Sequence, residues 1–571
     1  MKKAIGLVMS AVLLAVTALG MFGCYAGGAD YEELDPTKTQ LYIGNYDGGM
    51  KDEWIKVVAD KFEQEYADYQ FEPDTHPEKR GVQVMIDSSM NYSGDTLLGN
   101  MPYQDQQIYF THTITYDSFA ASGVTLDITD WVTEKVYDEN GNMVRGTDGK
   151  LTSDGATDSI VDRMESQFAE YYNVGSAEQP QYFGLPFAQI VGGIWYDADL
   201  FDYWGFYLWD NGQPGARRAD VDAQIANPDG VARKVSAGPD GVDGTYDDGL
   251  PETWNDFLDL LDYMVPQGIV PFTWDGVHTY QRTWLFDTLL ASYEGPEDFA
   301  LNLTLNGTDS NQTDISVTPQ TGYELTKQNG RFAAVKIVSD IVKNSSYYST
   351  AAFSGAQTHA MAQREFLRST LTAHPIAFFV EGSYWVSEAR SIFDEMAEDN
   401  ASLSYQNRDI RYFPIPRMEG VAGVPDQVNS TPTLAGRLST TAVLVNAKAD
   451  NEVTKKFIQF MHSRESLVIF QQYANAFRPF EYEFTDDELK ASSKYTQSLA
   501  NVLETGGTIV STLPQNTLIE RNASFFDYWR ECSTIDNYTY SNIFQALRGN
   551  VSAADYFAGM FAYAKNNWPK E

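Results

Sequence analysis

A two-lobed α/β fold is predicted by three features of the sequence. Short apolar runs of strand character alternate with amphipathic stretches of helical spacing. The 571 residues are more than one hydrophobic core organises. No internal repeat, coiled coil or second long apolar run interrupts the alternation.

The elements follow in order. Residues 41–49 (LYIGNYDGG) read as a strand that breaks at Gly48-Gly49, and from Lys51 the spacing of Trp54, Val57, Val58, Phe62 and Tyr66 predicts an amphipathic helix. Strands follow at 82–86 and 107–110, then a short helix over 117–123 ended by glycine. Residues 136–155 carry tight-turn dipeptides between extended runs and read as a hairpin insertion. The run 182–201 (YFGLPFAQIVGGIWYDADLF) has apolar strand character and leads into a helix closing near Gly205. Residues 205–250 are rich in Gly, Pro and Asp, as a loop insertion is.

Thr253, three residues before Asp256 and next to Pro251, marks a helix start, with Phe257, Leu260, Leu261 and Met264 as its buried stripe. Residues 300–330 are Asn-, Thr- and Gly-rich and read as a β insertion. Helices are predicted over 332–342 and 359–371, a buried strand over 376–385 and a helix after it. Strands at 412–416 and 439–447 precede a helix over 453–474 that breaks near Ser463.

The N-terminus has the layout of an export signal. Lys2 and Lys3 precede an uncharged run from Ala4 to Phe22, followed by Gly23-Cys24 and small residues. Gly23-Cys24 is similar to the lipobox of bacterial lipoproteins, which implies cleavage after residue 23 and acylation of Cys24; Met21 stands where leucine is usual. The only other cysteine is Cys532, far along the chain, so a disulfide framework is not expected. The balance of 79 acidic against 40 basic residues, a net charge of −39, argues against nucleic-acid partners and anionic surfaces. The 35 Tyr, 32 Phe and 11 Trp are more aromatic surface than core filling needs, and such rings suit the apolar C–H faces of sugars.

One acidic segment stands out. Asp240, Asp243, Asp247 and Asp248 lie in a short glycine-rich loop, a set of hard oxygen donors suited to structural calcium, though not at EF-hand spacing; a solvated acidic turn is the alternative. No other cofactor is implied. The chain contains no metalloprotease, nucleophile-elbow, phosphate-loop or dinucleotide motif, and its six histidines are scattered. A surface-anchored glycoside hydrolase working through two carboxylates, or an adhesin, remains an alternative reading.

Six segments in order resemble the extracellular solute-binding protein family 1, the carbohydrate-binding partners of ABC importers: residues 41–49 with the helix after them, 182–201, 250–272, VEGSYW (380–385), YFPIPRMEG (412–420), and NAKADNEVTKKFIQFMHSRES (446–466) ending in Arg478-Pro479. The resemblance implies a type II periplasmic-binding-protein fold, α/β lobes joined by crossing strands around a ligand cleft, and a non-enzymatic role. It implies a tether over 24–39 and a first lobe from 40–182. The second lobe takes 183–432, the chain returns to the first over 433–480, and helices mainly of the second lobe fill 481–571.

In such a fold the ligand meets strand ends and helix starts of both lobes. The resemblance therefore points to Tyr46 and Asp47 after the first strand, His112 and Thr113 after the third, and Gln189 where the chain first crosses. It also points to Trp274 and Asp275, to Glu381, Tyr384 and Trp385 at the Gly-Ser turn, and to Trp529. Trp385 is the leading candidate to stack on a sugar ring. The partners implied are a carbohydrate, permease subunits and a separate ATPase, with the protein a monomer held at the outer face of the cytoplasmic membrane by its lipid alone.

Overall fold

The structure, a computed structural model, describes residues 33–437 and 441–511, and beyond these 513, 516–522, 525–526, 529, 534–535, 538–539 and 543–570. The export segment, Cys24 and Cys532 lie outside the described residues.

Two sheets divide the molecule. The first is built from β1 (Thr39–Asn45), β2 (Val82–Asp87), β3 (Ile108–His112), β4 (Gly184–Pro186) and a late strand, Thr441–Val445. Its order is β2-β1-β3-late strand-β4, with β1 parallel to β2 and β3 and the late strand antiparallel to both β3 and β4. Helix α1 (Glu53–Glu65) lies on it because Trp54, Ile55, Val58, Ala59 and Phe62 form one buried stripe. Leu41, Ile43, Phe110, Val443 and Phe187 complete this core.

The second sheet is formed by β5 (Ile190–Asp197), β6 (Val270–Thr273), β7 (Ile376–Gly382), β8 (Ile410–Phe413), β9 (Thr433–Arg437) and β11 (Thr508–Ser511), so the late strand of the first sheet is β10. Its order is β11-β9-β5-β7-β6, and β8 also pairs with β5. Helix α2 (Trp254–Met264) begins at the expected place: Thr253 Oγ1 accepts from Asp256 N–H while the Asp256 carboxylate takes Thr253 N–H, a reciprocal cap. Helix α3 (Thr279–Thr304) is broken at Gly295, whose φ of 83° no helical residue adopts, and Pro296 follows it. Helices α4 (Asn329–Lys343) and α5 (His359–Ser369) complete the layers around this sheet.

The run 182–201 is two strands in different sheets, β4 and β5, and the chain crosses between lobes at residues 187–189, where the resemblance put Gln189 and a few residues past the lobe boundary drawn at 182–183. The return is later too, since 433–437 is still a strand of the second sheet and 441–445 belongs to the first. A third connection runs antiparallel to the first: Gln189 N–H donates to Phe477 O at 2.7 Å and Phe477 N–H to Gln189 O at 2.9 Å. Helices α6 (Glu452–Met461) and α7 (Arg464–Ala474) pack on the first lobe and are separated at Ser463, whose hydroxyl caps the second.

Among the described residues no helix is long and apolar enough to cross a membrane. Residues 137–158 form short antiparallel bridges, and 307–317 a two-stranded ladder, Gly307–Thr308 with Ser316–Val317.

Candidate functional site

The lobes meet along the ends of β1, β3 and β7. On the first lobe Tyr46 follows β1, and its N–H donates to Phe110 O at 2.9 Å. Its ring stacks on His112 at 4.9 Å and 16°. Burial pushes the His112 imidazole down to about 4, so it is neutral at physiological pH. Thr113, at φ 57°, turns the chain out of β3, and its hydroxyl meets His112 Nδ1 at 2.5 Å. Asp47 is half-exposed and faces Lys51 Nζ at 3.4 Å.

On the second lobe Tyr384 leaves β7 through the Gly-Ser turn and stands edge-on to Trp284 of α3, at 6.0 Å and 88°. It reaches the first lobe at Gly49, where any Cβ would run into the Tyr384 ring, so the glycine at φ 88° permits the approach. The Tyr46 phenol is pushed up by burial first and by the Glu388 carboxylate of the second lobe second. Nearer the crossing segments, Ser387 Oγ donates to Tyr473 O at 2.8 Å and accepts from Asn475 Nδ2 at 2.7 Å.

Tyr46, His112, Thr113 and Tyr384 are thus brought to the interface between lobes, with Asp47 beside them. The other expected residues are placed differently. Trp385 is fully buried in the second lobe, edge-on to Phe379 at 5.0 Å and Phe366 at 5.7 Å. The turn at 382–384 sends Tyr384 toward the first lobe and folds the next ring back under the sheet. Trp274 is sealed by Tyr348, Phe353 and Phe544, and Trp529 by Phe526, Trp568 and the Arg331 guanidinium, 4.7 Å from its ring. These three tryptophans are core residues, not cleft walls.

Glu381 is fully buried in β7, opposite Gly193. Gln189 is also buried, and its amide is spent on Ser511 Oγ at 2.7 Å and Glu165 Oε2 at 3.3 Å, tying the crossing segment to both lobes. Gln189 and Glu165 line a crevice of about 490 Å³ beside the crossing segments, together with Phe477, Tyr482, Leu503 and Ile509.

Among the described residues no three carboxylates of the acidic loop bring ligand atoms within 4.8 Å of one another, although Asp240 helps to push the Asp247 carboxyl up. Asp243 pairs with Lys234, Asp248 takes Gly244 N–H, and Asp247 accepts from Thr245 Oγ1 and Asp240 N–H. Among the described residues, three metal-ligating atoms come within 4.8 Å of one another in two other places: Asp275 with His278 and His359, and Glu294 with Asp298 and Asp309. Asp275, expected to face a ligand from the cleft wall, is fully buried in the first of these.

Trp284 escaped the sequence reading. Its signal was present in the glycines of two neighbouring strands: a Cβ on Gly192 would lie 2.6 Å from Trp284 Cβ, and one on Gly382 would overlap the ring. Strand glycines at such positions mark a close approach by another group.

No protein-family model and no curated protein matches the chain. Solved structures do. One, described under biochemical and structural insights into xylan utilization by the thermophilic bacterium Caldanaerobius polysaccharolyticus, is 13% identical, with 92% of this chain and 99% of that one covered, at a TM-score of 0.50. Maltose-bound MalE3 of T. maritima is 14% identical over 92% and 99% at a TM-score of 0.49. RafE in complex with raffinose is 14% identical over the same shares at 0.47. The first likeness establishes shared architecture. With its two sheets and three crossing segments, the chain has the type II periplasmic-binding-protein fold.

Proposed function

We propose that this protein is the solute-binding lipoprotein of an ABC importer, which captures a sugar or oligosaccharide outside the cytoplasmic membrane and delivers it to permease subunits served by a separate ATPase. The observation that carries the reading is the pair of aromatic surfaces meeting between the lobes, Tyr46 on His112 from one side and Tyr384 on Trp284 from the other. Such rings offer apolar faces to sugar C–H groups and keep phenolic oxygens for hydroxyls. The likeness in fold to a protein described under xylan utilization makes β-linked pentose oligosaccharides the first class to test.

The mechanism follows from the fold. A solute that touches both lobes shifts the equilibrium toward the closed state by the difference in its affinity for the two states. Closure brings Gly49 against Tyr384, so the turn at Gly48-Gly49 sets how near the lobes come. The partner permease reads the closed arrangement, and no bond in the solute is broken. Acylated Cys24 tethers a monomeric body to the outer face of the membrane, and two or three acyl chains at about 0.8 kcal/mol per buried methylene make that anchoring stable.

The test is a thermal-shift screen of the full chain against xylo-, malto-, raffinose-type and chitin oligosaccharides, with product analysis on every hit. A ligand at a hundred times its Kd adds about 2.7 kcal/mol of stability. A stabilising sugar recovered intact supports the reading. A sugar returned cleaved replaces it with a hydrolase, and no hit among sugars removes carbohydrate as the solute.

A further inference from the structure

The second lobe assembles a cluster that the solute-binding reading does not use. Asp275 lies two residues past the end of β6, His278 stands at the start of α3, and His359 is the first residue of α5. One ligand atom from each lies within 4.8 Å of the other two. The Asp275 carboxylate is fixed: Oδ1 accepts from Val277 N–H at 2.6 Å and His278 N–H at 2.9 Å, while Oδ2 faces His278 Nδ1 at 2.6 Å. The two imidazole rings are 5.7 Å apart.

His359 supplies a second observation. Its Nε2 faces Glu388 Oε1 at 3.5 Å, whereas its Nδ1 is buried and has no hydrogen-bond partner. The tautomer that points Nε2–H at the carboxylate leaves a lone pair on Nδ1. A buried nitrogen with a lone pair and no donor costs free energy unless something binds it. A carboxylate beside the far nitrogen of an imidazole, here at 3.5 Å, is also the usual support of a metal-ligating histidine once it closes to hydrogen-bond distance. Glu388 is itself held by Gln363 Nε2 at 2.5 Å.

We propose that Asp275, His278 and His359 bind a zinc-class transition-metal ion, with Glu388 as the residue that orients His359. Two imidazole nitrogens and one carboxylate oxygen select a borderline ion over calcium or magnesium. Tetrahedral zinc needs its donors about 3.3 Å apart, so side-chain shifts of an ångström or so complete the site. The assignment stands independently of which solute the protein carries.

The test is zinc titration of the full chain after chelation and dialysis, with cobalt(II) as spectroscopic probe. One equivalent binds saturably, and the cobalt form shows visible absorption of tetrahedral intensity. His278→Ala and His359→Ala each abolish both signals, while Glu388→Gln weakens zinc binding by about 10- to 100-fold. Both histidine side chains are about a third exposed, so these variants keep the fold where Asp275→Asn risks it. The proposal is overturned by the absence of saturable binding. It is overturned equally if zinc binding and cobalt absorption persist in a folded H278A/H359A double variant, since the chain's other carboxylates would then hold the ion.

Discussion

Trp385→Ala separates a core tryptophan from a cleft tryptophan. The ring is fully buried, enclosed by Phe366, Phe379 and Tyr495, so truncation removes one of the largest side chains of the second lobe and leaves a cavity. Removal of a buried Trp costs about 3–5 kcal/mol. At about 2–4 °C per kcal/mol for a unit of this size, the second-lobe transition falls by about 6–20 °C. The assay is calorimetry of the full chain with and without its solute, paired with affinity measured well below the new transition. The expected result is a large fall in Tm with affinity changed less than about threefold. An unchanged Tm with affinity lost tenfold or more would put the ring on the cleft wall and refute the burial argument.

Tyr384→Ala reverses that pattern: the half-buried ring touches Gly49 across the lobes, so affinity weakens by about 1–2 kcal/mol while Tm moves little, as calorimetry and equilibrium binding will show. Gly382→Ala overpacks Trp284 and costs about 1–3 kcal/mol; Trp284→Leu in the same chain recovers part of it, and a double-mutant cycle with no coupling would refute the contact. Glu294, buried beside Asp309, has its carboxyl pushed up to about 7, chiefly by burial. An acid whose folded pKa is raised takes up a proton on folding between its unfolded value near 4.5 and 7, so this group's contribution to stability falls as pH rises through that window. Glu294→Gln flattens the decline in Tm between pH 4.5 and 7, and an unaltered slope would show that Glu294 does not carry it.

Local chemistry was legible in the sequence. The stripe Trp54–Phe62 needed only helical spacing, the Thr253–Asp256 cap only three residues, and the break at Ser463 only its own hydroxyl. Each is decided within a turn or two of chain. The first-lobe side of the interface was reached through the family resemblance, which pointed to Tyr46 just after β1 and to His112, the last residue of β3. Helix α3 was not read at all, since Gly295-Pro296 interrupts its pattern although neighbouring layers hold both halves.

What only the tertiary structure decided is which rings are covered and which distant groups meet. Trp385 and Tyr384 are adjacent in sequence, yet one is sealed by Phe366, Phe379 and Tyr495 while the other faces Gly49. His278 and His359 look scattered along the chain until β6, α3 and α5 bring their ends together at Asp275. The sequence by itself determined the alternation of strands and helices, because propensity, periodicity and caps act over a few residues. Burial and convergence are set by segments far apart in the chain, and no local pattern records what will pack on a given side chain.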